Sequence, residues 1–411
     1  MSSEVEVVIT GLGATTPLGG DVASTWEGML SGRSGVRRID RDFDWIDRYD
    51  LPVRIGAPLA VEPSEVLPRV QARRLDRVEQ LALVAAKEAW ADAGSPEVDP
   101  VRLGVVVGTG IGGVTTLLAQ DDLLESEGLR KVSPLTVPML MPNGPAAWIS
   151  LEFGAQGGVH APVSACATGA EALAWALMLM RNGELDVVIA GGAEACITQL
   201  TVAGFAQSRT LSQRNDEPER ASRPFDTQRD GFVLGEGAGV MVLERAEFAA
   251  ARGAAVHARL AGAGLTADAY HITGPEPEGI GQSRAIAKAV RDAGLEPTDV
   301  GHVNCHATST VAGDVGETRA VRKALGDHPV LTAPKSSFGH LVGAAGAVES
   351  IITVLSVKEG IIPATLNLDE LDPGVELDVV AGEPRKVDLQ AAVCDSFGFG
   401  GHNAALTFTK A

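Results

Sequence analysis

Cys166 is the residue whose type and surroundings most clearly permit chemistry. It lies in Val163-Ser-Ala-Cys-Ala-Thr-Gly169, where small neighbours leave room for a substrate carbonyl to reach the sulfur. Apolar residues recur at helical spacing from 170 to 180, which predicts a strand that turns sharply into a buried helix with Cys166 at its start. Unpaired backbone N–H groups and a helix dipole would favour the nucleophilic thiolate there. The alternative is a buried structural cysteine, which is equally common.

Two histidines could supply the bases that such a nucleophile needs. In the segment 301–310, strand alternation puts His306 on the same side as His302 and Asn304, at a carboxyl end where ligands of α/β sheets gather. His340 precedes a predicted long helix, whose positive end disfavours an imidazolium ion. We therefore expect a neutral His340 that can donate a hydrogen bond to a forming anion. A structural histidine is the alternative in both places.

Two further stretches carry residues that could support a reaction. Lys335 lies in the same short segment as His340, and Glu349 lies within the helix that follows, so the two could form an ion pair. Residues 396–403 read Ser-Phe-Gly-Phe-Gly-Gly-His-Asn, a glycine-rich loop with two phenylalanines. Its backbone N–H groups could line an oxyanion hole while a phenyl ring gates an apolar tunnel. A simple hairpin turn is the alternative.

Alternating strand and helix patterns must position these residues. Strands are predicted at 5–10, 103–108, 187–190, 239–244, 258–261 and 300–305, and helices at 80–92, 283–293, 316–325 and 343–358. This alternation predicts an α/β fold made of two similar halves. Residues 1–254 would form the half with the cysteine, and residues 255–411 the half with the two histidines. Each half has an apolar strand, a small-residue elbow and a long Ala/Gly-rich helix.

Three local predictions accompany this outline. Ser24 and Glu27 fit a capping box that opens a helix. The charge-rich residues 33–74 are predicted to be surface loop. The segment 103–113 contains a formal G-x-G-x-x-G after a strand, but no acidic residue closes a following strand to hold a ribose. We therefore predict an ordinary strand-to-helix turn there instead of a dinucleotide site.

Composition limits the classes of function. The chain has 411 residues, 45% of them hydrophobic, which is enough for a large core. A formal charge of −19 argues against nucleic acid and anionic membranes as partners. No stretch resembles a membrane span or a targeting signal, so we expect a cytoplasmic protein without membrane insertion. Neither a zinc site nor a disulfide framework is indicated by the four scattered cysteines, at positions 166, 196, 305 and 394.

Four spaced motifs together resemble one enzyme family. They are Val163-Ser-Ala-Cys-Ala-Thr-Gly, His306-Ala-Thr-Ser-Thr, Lys335-Ser-Ser-Phe-Gly-His and Phe397-Gly-Phe-Gly-Gly-His-Asn. Their order and spacing are similar to those of elongating type II β-ketoacyl-acyl-carrier-protein synthases, and Arg214-Asn-Asp-Glu-Pro and Arg229-Asp-Gly-Phe-Val also match. The resemblance implies a thiolase-like fold of two fused, pseudo-repeated halves in five αβαβα layers. It also implies a homodimer, acyl carrier protein as partner, and fatty acid elongation by decarboxylative condensation with malonyl-carrier protein.

The same resemblance implies roles for individual residues. Cys166 would accept the acyl group, and His306 and His340 would act at decarboxylation. Lys335 and Glu349 would support the site electrostatically. Phe399 would be the gate, and its N–H would join that of Cys166 in the oxyanion hole. The implied contacts with the phosphopantetheine arm, which arrives on the carrier protein, are Thr308, Thr310, Phe399 and Gly400. No metal or redox cofactor is expected.

One residue departs from the family pattern, because Ala307 stands where the family usually has glycine. Its methyl group would crowd the path of the pantetheine arm. Rival enzymes on this fold are a thiolase, which uses a second cysteine, and an initiating synthase, which uses Cys-His-Asn. A polyketide ketosynthase keeps every motif and stays an open alternative. A non-catalytic chain-length partner subunit is opposed by Cys166.

An acidic carrier protein needs a basic surface on an enzyme whose own charge is negative. Candidates for a local carrier-protein patch are Arg73, Arg74, Arg130, Lys131 and Arg209. Each of them alone is more commonly a solvated surface charge. We therefore treat the patch as a hypothesis that charge reversal can test.

Overall fold

A computed structural model describes residues 5–411 of the chain. The strands are β1 Val7–Thr15, β2 Arg37–Arg38, β3 Ile55–Gly56, β4 Leu103–Gly108, β5 Val159–His160, β6 Val187–Glu194, β7 Gly237–Arg245, β8 Ala258–Ala267, β9 His302–Asn304, β10 Val330–Thr332, β11 Ile361–Ile362, β12 Arg385–Lys386, β13 Ala391–Gly398 and β14 His402–Thr409. The long strands contain the β-branched and small apolar residues that suit sheets buried on both faces.

The helices in the described part of the chain range from four to sixteen residues in length. Their bounds are α1 Val22–Leu30, α2 Trp45–Arg48, α3 Pro63–Val66, α4 Arg69–Ala72, α5 Arg77–Asp92, α6 Val114–Glu127, α7 Thr136–Leu140, α8 Gly144–Phe153, α9 Thr168–Arg181, α10 Gln199–Gln207, α11 Ala246–Ala251, α12 Ile280–Asp292, α13 Val311–Leu325, α14 Lys335–Phe338 and α15 Ala345–Glu359. No helix in the described part of the chain is long and apolar enough to cross a membrane.

Ten strands form one continuous set with an internal symmetry. Their order is β10-β9-β13-β14-β8-β1-β7-β6-β4-β5. In each half, one long strand pairs in parallel with a neighbour on one side and antiparallel on the other: β6 lies between β4 and β7, and β13 lies between β9 and β14. The halves meet at β1 and β8, where only Val8 and Ile9 pair with Arg259 and Ala258. The set is therefore two similar five-stranded sheets joined at a short seam.

Helices cover both sheets and fill the space between them. α5 and α8 pack on the outer face of the first sheet, and α12 packs on the outer face of the second. α13 lies beside α12 and shares a hydrophobic cluster with strand residues of the second sheet. α9 and α15 contact each other and both sheets, so they form the central layer. Because α9 and α15 are rich in alanine and glycine, backbones approach closely there: Gly169 lies against Ala347, and Gly346 lies against Ala170. These five layers confirm the predicted thiolase-like α/β fold.

The boundaries of several elements differ from the sequence-based predictions. Asp21, and not Ser24, is the N-cap of α1: its carboxylate accepts the backbone N–H of Ser24, the third residue of the helix. The prediction of a surface loop at 33–74 holds only in part, because short helices and strands and several buried residues occur there. Val36, Ile39 and Ile46 are buried in a cluster with residues of the first half, because apolar side chains alternate with the charged ones. The division between residues 254 and 255 stays a prediction.

Two elbows, one in each half, introduce the central helices. The first is the 3₁₀ turn Ala165–Ala167 before α9, and the second is the 3₁₀ turn Val342–Ala344 before α15. The first residue of each turn has a positive φ, 51° at Ala165 and 45° at Val342. Such a conformation is strained for any residue with a Cβ, and most of all for β-branched valine. The strand predicted to lead into the first elbow is limited to β5, and residues 161–164 are irregular.

Candidate active site

A pocket of about 380 Å³ lies where the two halves meet. Cys166 comes from the first elbow, whereas His306 follows β9 and His340 precedes the second elbow. The sulfur and one ring nitrogen of each histidine lie within 4.8 Å of one another. Three side chains that are far apart in the sequence thus face one enclosed space. Phe205, Phe232 and Phe397 line the apolar part of its wall.

The contact between Cys166 and His340 is the shortest of the three. His340 Nε2 lies 3.0 Å from the Cys166 sulfur. The His340 ring packs edge-on against Phe232, with 5.3 Å between ring centroids, and its backbone N–H donates to the Val233 carbonyl over 2.7 Å. The imidazole is therefore held in position to accept the thiol proton.

His306 is oriented by a buried ion pair. Lys335 bonds Glu349, and its Nζ also lies 3.3 Å from His306 Nδ1. Because an ammonium group can only donate, His306 Nδ1 must accept. The ring proton then sits on Nε2, the nitrogen on the other side of the ring from Lys335. The two imidazole rings stand nearly perpendicular, with centroids 5.4 Å apart.

The electrostatics of the site differ from the sequence-based expectation. Burial raises the pKa of the Cys166 thiol to about 11, although Lys335 and the backbone N–H groups of Phe399 and Cys166 lower it. The prediction of a helix-stabilised resting thiolate was therefore wrong, because desolvation outweighs the nearby dipoles. Cys166 must lose its proton during the reaction.

Both histidines are neutral, but for a different reason than expected. Burial lowers the pKa of His340, and the Lys335 cation lowers it further. The pKa of His306 falls for the same two reasons, with a contribution from His340. The helix end was the predicted cause at His340, whereas desolvation and a neighbouring cation are the observed ones.

The glycine-rich loop covers the pocket next to the sulfur. Phe399 is 36% exposed, lines the pocket, and lies 6.5 Å from the Phe205 ring between centroids. Its backbone N–H and that of Cys166 face the sulfur, as two donors of an oxyanion hole would. Gly400 does not line the pocket, and its N–H donates to the Ile272 carbonyl over 2.7 Å. Its positive φ of 87° shapes the turn.

The two threonines belong to the wall of the pocket. Thr308 and Thr310 both line it, and their hydroxyls are 3.1 Å apart. Asp314 accepts the N–H groups of Ser309 and Thr310 and so fixes this turn. Ala307 is buried in the hydrophobic core of the second half and does not line the pocket. The prediction that its methyl group crowds the pantetheine path was therefore wrong.

The five basic residues of the carrier-protein patch are all exposed: Arg73, Arg74, Arg130, Lys131 and Arg209. Arg130 and Lys131 close a 3₁₀ turn after α6, and Lys131 also pairs with Glu127 at 3.3 Å. Arg209 directly precedes Thr210, which lines the pocket. Of the five basic residues, Arg209 is therefore the one that is adjacent in sequence to a pocket-lining residue.

Three residues at the site were not singled out from the sequence. Glu317 and Asp395 both accept the backbone N–H of His306, and Glu317 also accepts that of Ala307. Phe232 supports His340 through the ring contact. Asp395 directly precedes the glycine-rich motif, and Phe232 belongs to the Arg229-Asp-Gly-Phe-Val motif. Proximity to these motifs could have indicated Asp395 and Phe232. No rule of sequence spacing connects them with each other or with Glu317.

Comparison with known families gives two matches that together span most of the chain. Residues 4–249 match the family described as "Beta-ketoacyl synthase, N-terminal domain". Residues 257–369 match "Beta-ketoacyl synthase, C-terminal domain". The first match carries Cys166, and the second carries His306 and His340.

Similar proteins and structures cover almost the whole chain. The 3-oxoacyl-[acyl-carrier-protein] synthase 2 of Mycobacterium tuberculosis (strain ATCC 25618 / H37Rv) is 48% identical over 98% of this chain and 97% of its own length. A β-ketoacyl synthase from Burkholderia phymatum STM815 has a TM-score of 0.91 at 36% identity, covering 99% of this chain and all of its own. A structure described as a type II PKS acyl-carrier protein in complex with its ketosynthase bound to the hexaketide has a TM-score of 0.92 at 29% sequence identity. The match covers all of both chains.

Proposed function

This chain belongs to the β-ketoacyl synthase family, and from that premise we propose that it extends acyl chains on acyl carrier protein by two carbons in fatty acid synthesis. It is an acyl-transferring condensing enzyme. The observation that carries the proposal is the convergence of one thiol and two neutral imidazoles in a single apolar pocket. The Mycobacterium tuberculosis relative, which is 48% identical, is named as a 3-oxoacyl-[acyl-carrier-protein] synthase. This similarity favours a role in fatty acid synthesis over one in polyketide synthesis.

The first half-reaction transfers an acyl group to Cys166. His340 Nε2 takes the thiol proton as the sulfur attacks the thioester carbonyl, since the two atoms are 3.0 Å apart. The N–H groups of Cys166 and Phe399 hold the negative oxygen of the tetrahedral intermediate. Its collapse expels the thiolate of the carrier arm, which takes the proton back from His340. The product is acyl-Cys166 with neutral histidines.

The second half-reaction joins a malonyl unit to that acyl group. Loss of CO₂ from malonyl-carrier protein leaves an enolate, whose oxygen accepts one hydrogen bond from His306 Nε2–H. It accepts a second from His340 after the His340 ring proton has moved from Nδ1 to Nε2, since the neutral ring carries only one proton. Lys335 fixes the His306 tautomer that can donate from Nε2. The enolate carbon attacks the acyl carbonyl, and Cys166 leaves as a thiolate that solvent reprotonates. The 3-ketoacyl product stays on the carrier protein.

The proposed chemistry uses no metal or redox cofactor, because the thiol, the imidazoles and the backbone donors supply every step. Phosphopantetheine enters on the carrier protein, and Thr308 and Thr310 lie where its arm would pass. We place the enzyme in the cytoplasm, a setting that suits the four free cysteines. The phosphopantetheine contacts and the location are parts of the proposal.

A second copy of this chain is the proposed partner in a homodimer. β5 lies at the end of the strand order, and its residue Val159 is 42% exposed. Val163 nearby and Trp175 and Met178 on α9 are also exposed. An open strand edge beside apolar side chains is a surface that pairing would cover.

Native mass spectrometry after incubation with acyl-carrier protein tests both proposals at once. We expect twice the chain mass with one acyl group on each Cys166. Absence of any acyl adduct would contradict the enzymatic proposal and favour a non-catalytic partner subunit. A monomer that still carries the adduct would contradict only the homodimer. A series of acyl lengths with malonyl-carrier protein then separates fatty acid elongation from a polyketide ketosynthase.

Charge reversal tests the carrier-protein patch. Arg130→Glu with Lys131→Glu is expected to raise KM for carrier-bound substrate about tenfold, because long-range attraction to an acidic partner is lost. Turnover of a small soluble thioester should not change. The matched control is Arg385→Glu with Lys386→Glu, an adjacent basic pair on β12 that does not line the pocket. Equal KM for all three proteins would refute the patch.

A further inference from the structure

The two elbows correspond residue by residue, and only one of them carries a nucleophile. Ala165 corresponds to Val342, because each opens its 3₁₀ turn with a positive φ. Cys166 therefore corresponds to Gly343. A Cβ at Gly343 would lie 2.3 Å from the Gly110 backbone nitrogen and 2.9 Å from a Glu194 oxygen, so no side chain fits there. The second elbow keeps the backbone form of the first without its sulfur.

Each elbow faces the last residue of a strand from the opposite half. β6 and β13 occupy corresponding places in the two sheets, and they end at Glu194 and Gly398. Gly398 lies against the first elbow, where a Cβ would stand 3.2 Å from the Cys166 nitrogen. Glycine thus leaves the Cys166 N–H open for a substrate oxygen. At the second elbow, the corresponding residue is a glutamate.

The carboxylate of Glu194 occupies the space that an oxyanion would fill. Its Oε2 accepts the N–H of Gly110 at 2.8 Å and the N–H of Gly343 at 3.1 Å, and its Oε1 accepts the Thr109 hydroxyl at 2.9 Å. Two backbone donors converging on one oxygen are the arrangement of an oxyanion hole. Glu194 is fully buried, so the group cannot exchange with solvent.

We propose that Glu194 is a positioning residue that permanently fills the anion hole of the second elbow and thereby sets the acyl-binding wall of the pocket. The inference rests on the proposed function. Glu194 joins two segments that both line the pocket, Gly110–Ile111 from the first half and Val342 from the second. It therefore acts through Ile111 and Val342, and it touches no reacting atom.

Two observations support a positioning role over a purely structural one. Val342 holds a conformation that valine avoids, and such strain persists only where neighbouring contacts over-determine it. The bond to the Gly343 N–H is one such contact, directly after the strained residue. Burial raises the pKa of Glu194 to about 7, while Thr109 and the backbone donors at Gly343, Gly110 and Ile111 lower it. The buried carboxylate of Glu194 is thus stabilised by the groups that donate hydrogen bonds to it.

The test compares Glu194→Gln with Glu88→Gln. Glu88 is a matched control, because its carboxylate also joins two segments through the N–H groups of Ala14 and Val22, and its pKa is likewise raised to about 7. It does not line the pocket. The measurement is kcat/KM for acylation of Cys166 by hexadecanoyl and acetyl thioesters, with KM and kcat resolved separately.

We expect Glu194→Gln to lower the ratio of hexadecanoyl to acetyl kcat/KM about tenfold, since a shifted wall affects the long chain most. Glu88→Gln should leave that ratio at the wild-type value, even if both variants lose stability. An unchanged ratio in Glu194→Gln would overturn the proposal. Failure of the wild-type protein to acylate would instead overturn the proposed function.

Thr109→Val provides a second test of the role of Glu194 if Glu194→Gln does not fold. Thr109→Val removes the hydroxyl that donates to Glu194 Oε1 and also accepts the Gly112 N–H, and it keeps the side-chain volume. We expect a smaller change of the ratio in the same direction. A folded Thr109→Val protein with the wild-type ratio, together with an unfolded Glu194→Gln protein, would show that Glu194 is structural only.

Discussion

Cys166→Ala is expected to lose condensation activity by at least about 10⁴-fold, because no other group can hold the acyl intermediate. The acyl adduct seen by mass spectrometry should disappear completely. Cys166 is only partly buried, and its side chain is small. The free energy of unfolding should therefore change by less than about 1 kcal/mol. Loss of activity in a folded protein separates a chemical role from a structural one.

Cys196→Ala is the control for this substitution. Cys196 is a fully buried free cysteine in a hydrophobic cluster, and burial raises its pKa well above the usual range. The adduct and the condensation rate should survive its removal, although some stability is lost with the packing. An adduct that persists in Cys166→Ala and disappears in Cys196→Ala would show that Cys196, and not Cys166, carries the acyl group.

Lys335→Met is expected to lower the free energy of unfolding by about 3–5 kcal/mol at pH 8, because it leaves Glu349 buried without its cation. Both side chains are almost fully buried, at 1% and 0% exposure. Lys87→Met is the control, since Lys87 pairs with Glu152 at 2.6 Å with both side chains about one third exposed. That change should cost less than about 1 kcal/mol.

The loss in Lys335→Met should depend on pH in a defined direction. Burial already raises the pKa of Glu349 to about 7, from an ordinary value of 4.5, and Lys335 lowers it. Without the lysine this pKa rises further, so the folded variant retains a proton that the unfolded chain releases. The deficit relative to wild type should therefore shrink as pH falls from 8 towards 5. Chemical denaturation at several pH values measures it, and a deficit that grows in acid would contradict the buried pair.

Much of the site could be predicted from the sequence because its chemistry is local to short motifs. Cys166, His306, His340 and Lys335 each stand in a stretch whose composition indicates a turn or an elbow. The strand and helix periods also placed them on an α/β scaffold, and the structure brings them into one pocket. Alternation of elements was enough to predict an α/β fold of two similar halves, whereas the five thiolase-like layers were implied by the family resemblance.

Quantities that depend on burial could not be predicted in this way. The pKa of Cys166 was expected to fall, but the surrounding protein raises it to about 11. The same limit explains the error at Ala307, whose methyl group points into a core that only the folded chain defines. Glu194 ends an apolar strand and resembles an ordinary surface acid in the sequence. Its partners, Thr109, Gly110 and Gly343, are brought to it only by tertiary structure.

The short seam between β1 and β8 has a consequence for how activity arises during synthesis of the chain. The nucleophile belongs to the half that leaves the ribosome first, while both imidazoles belong to the half that follows. The first half alone holds Cys166 without either imidazole, so acylation of Cys166 by the proposed mechanism requires both halves to be folded together.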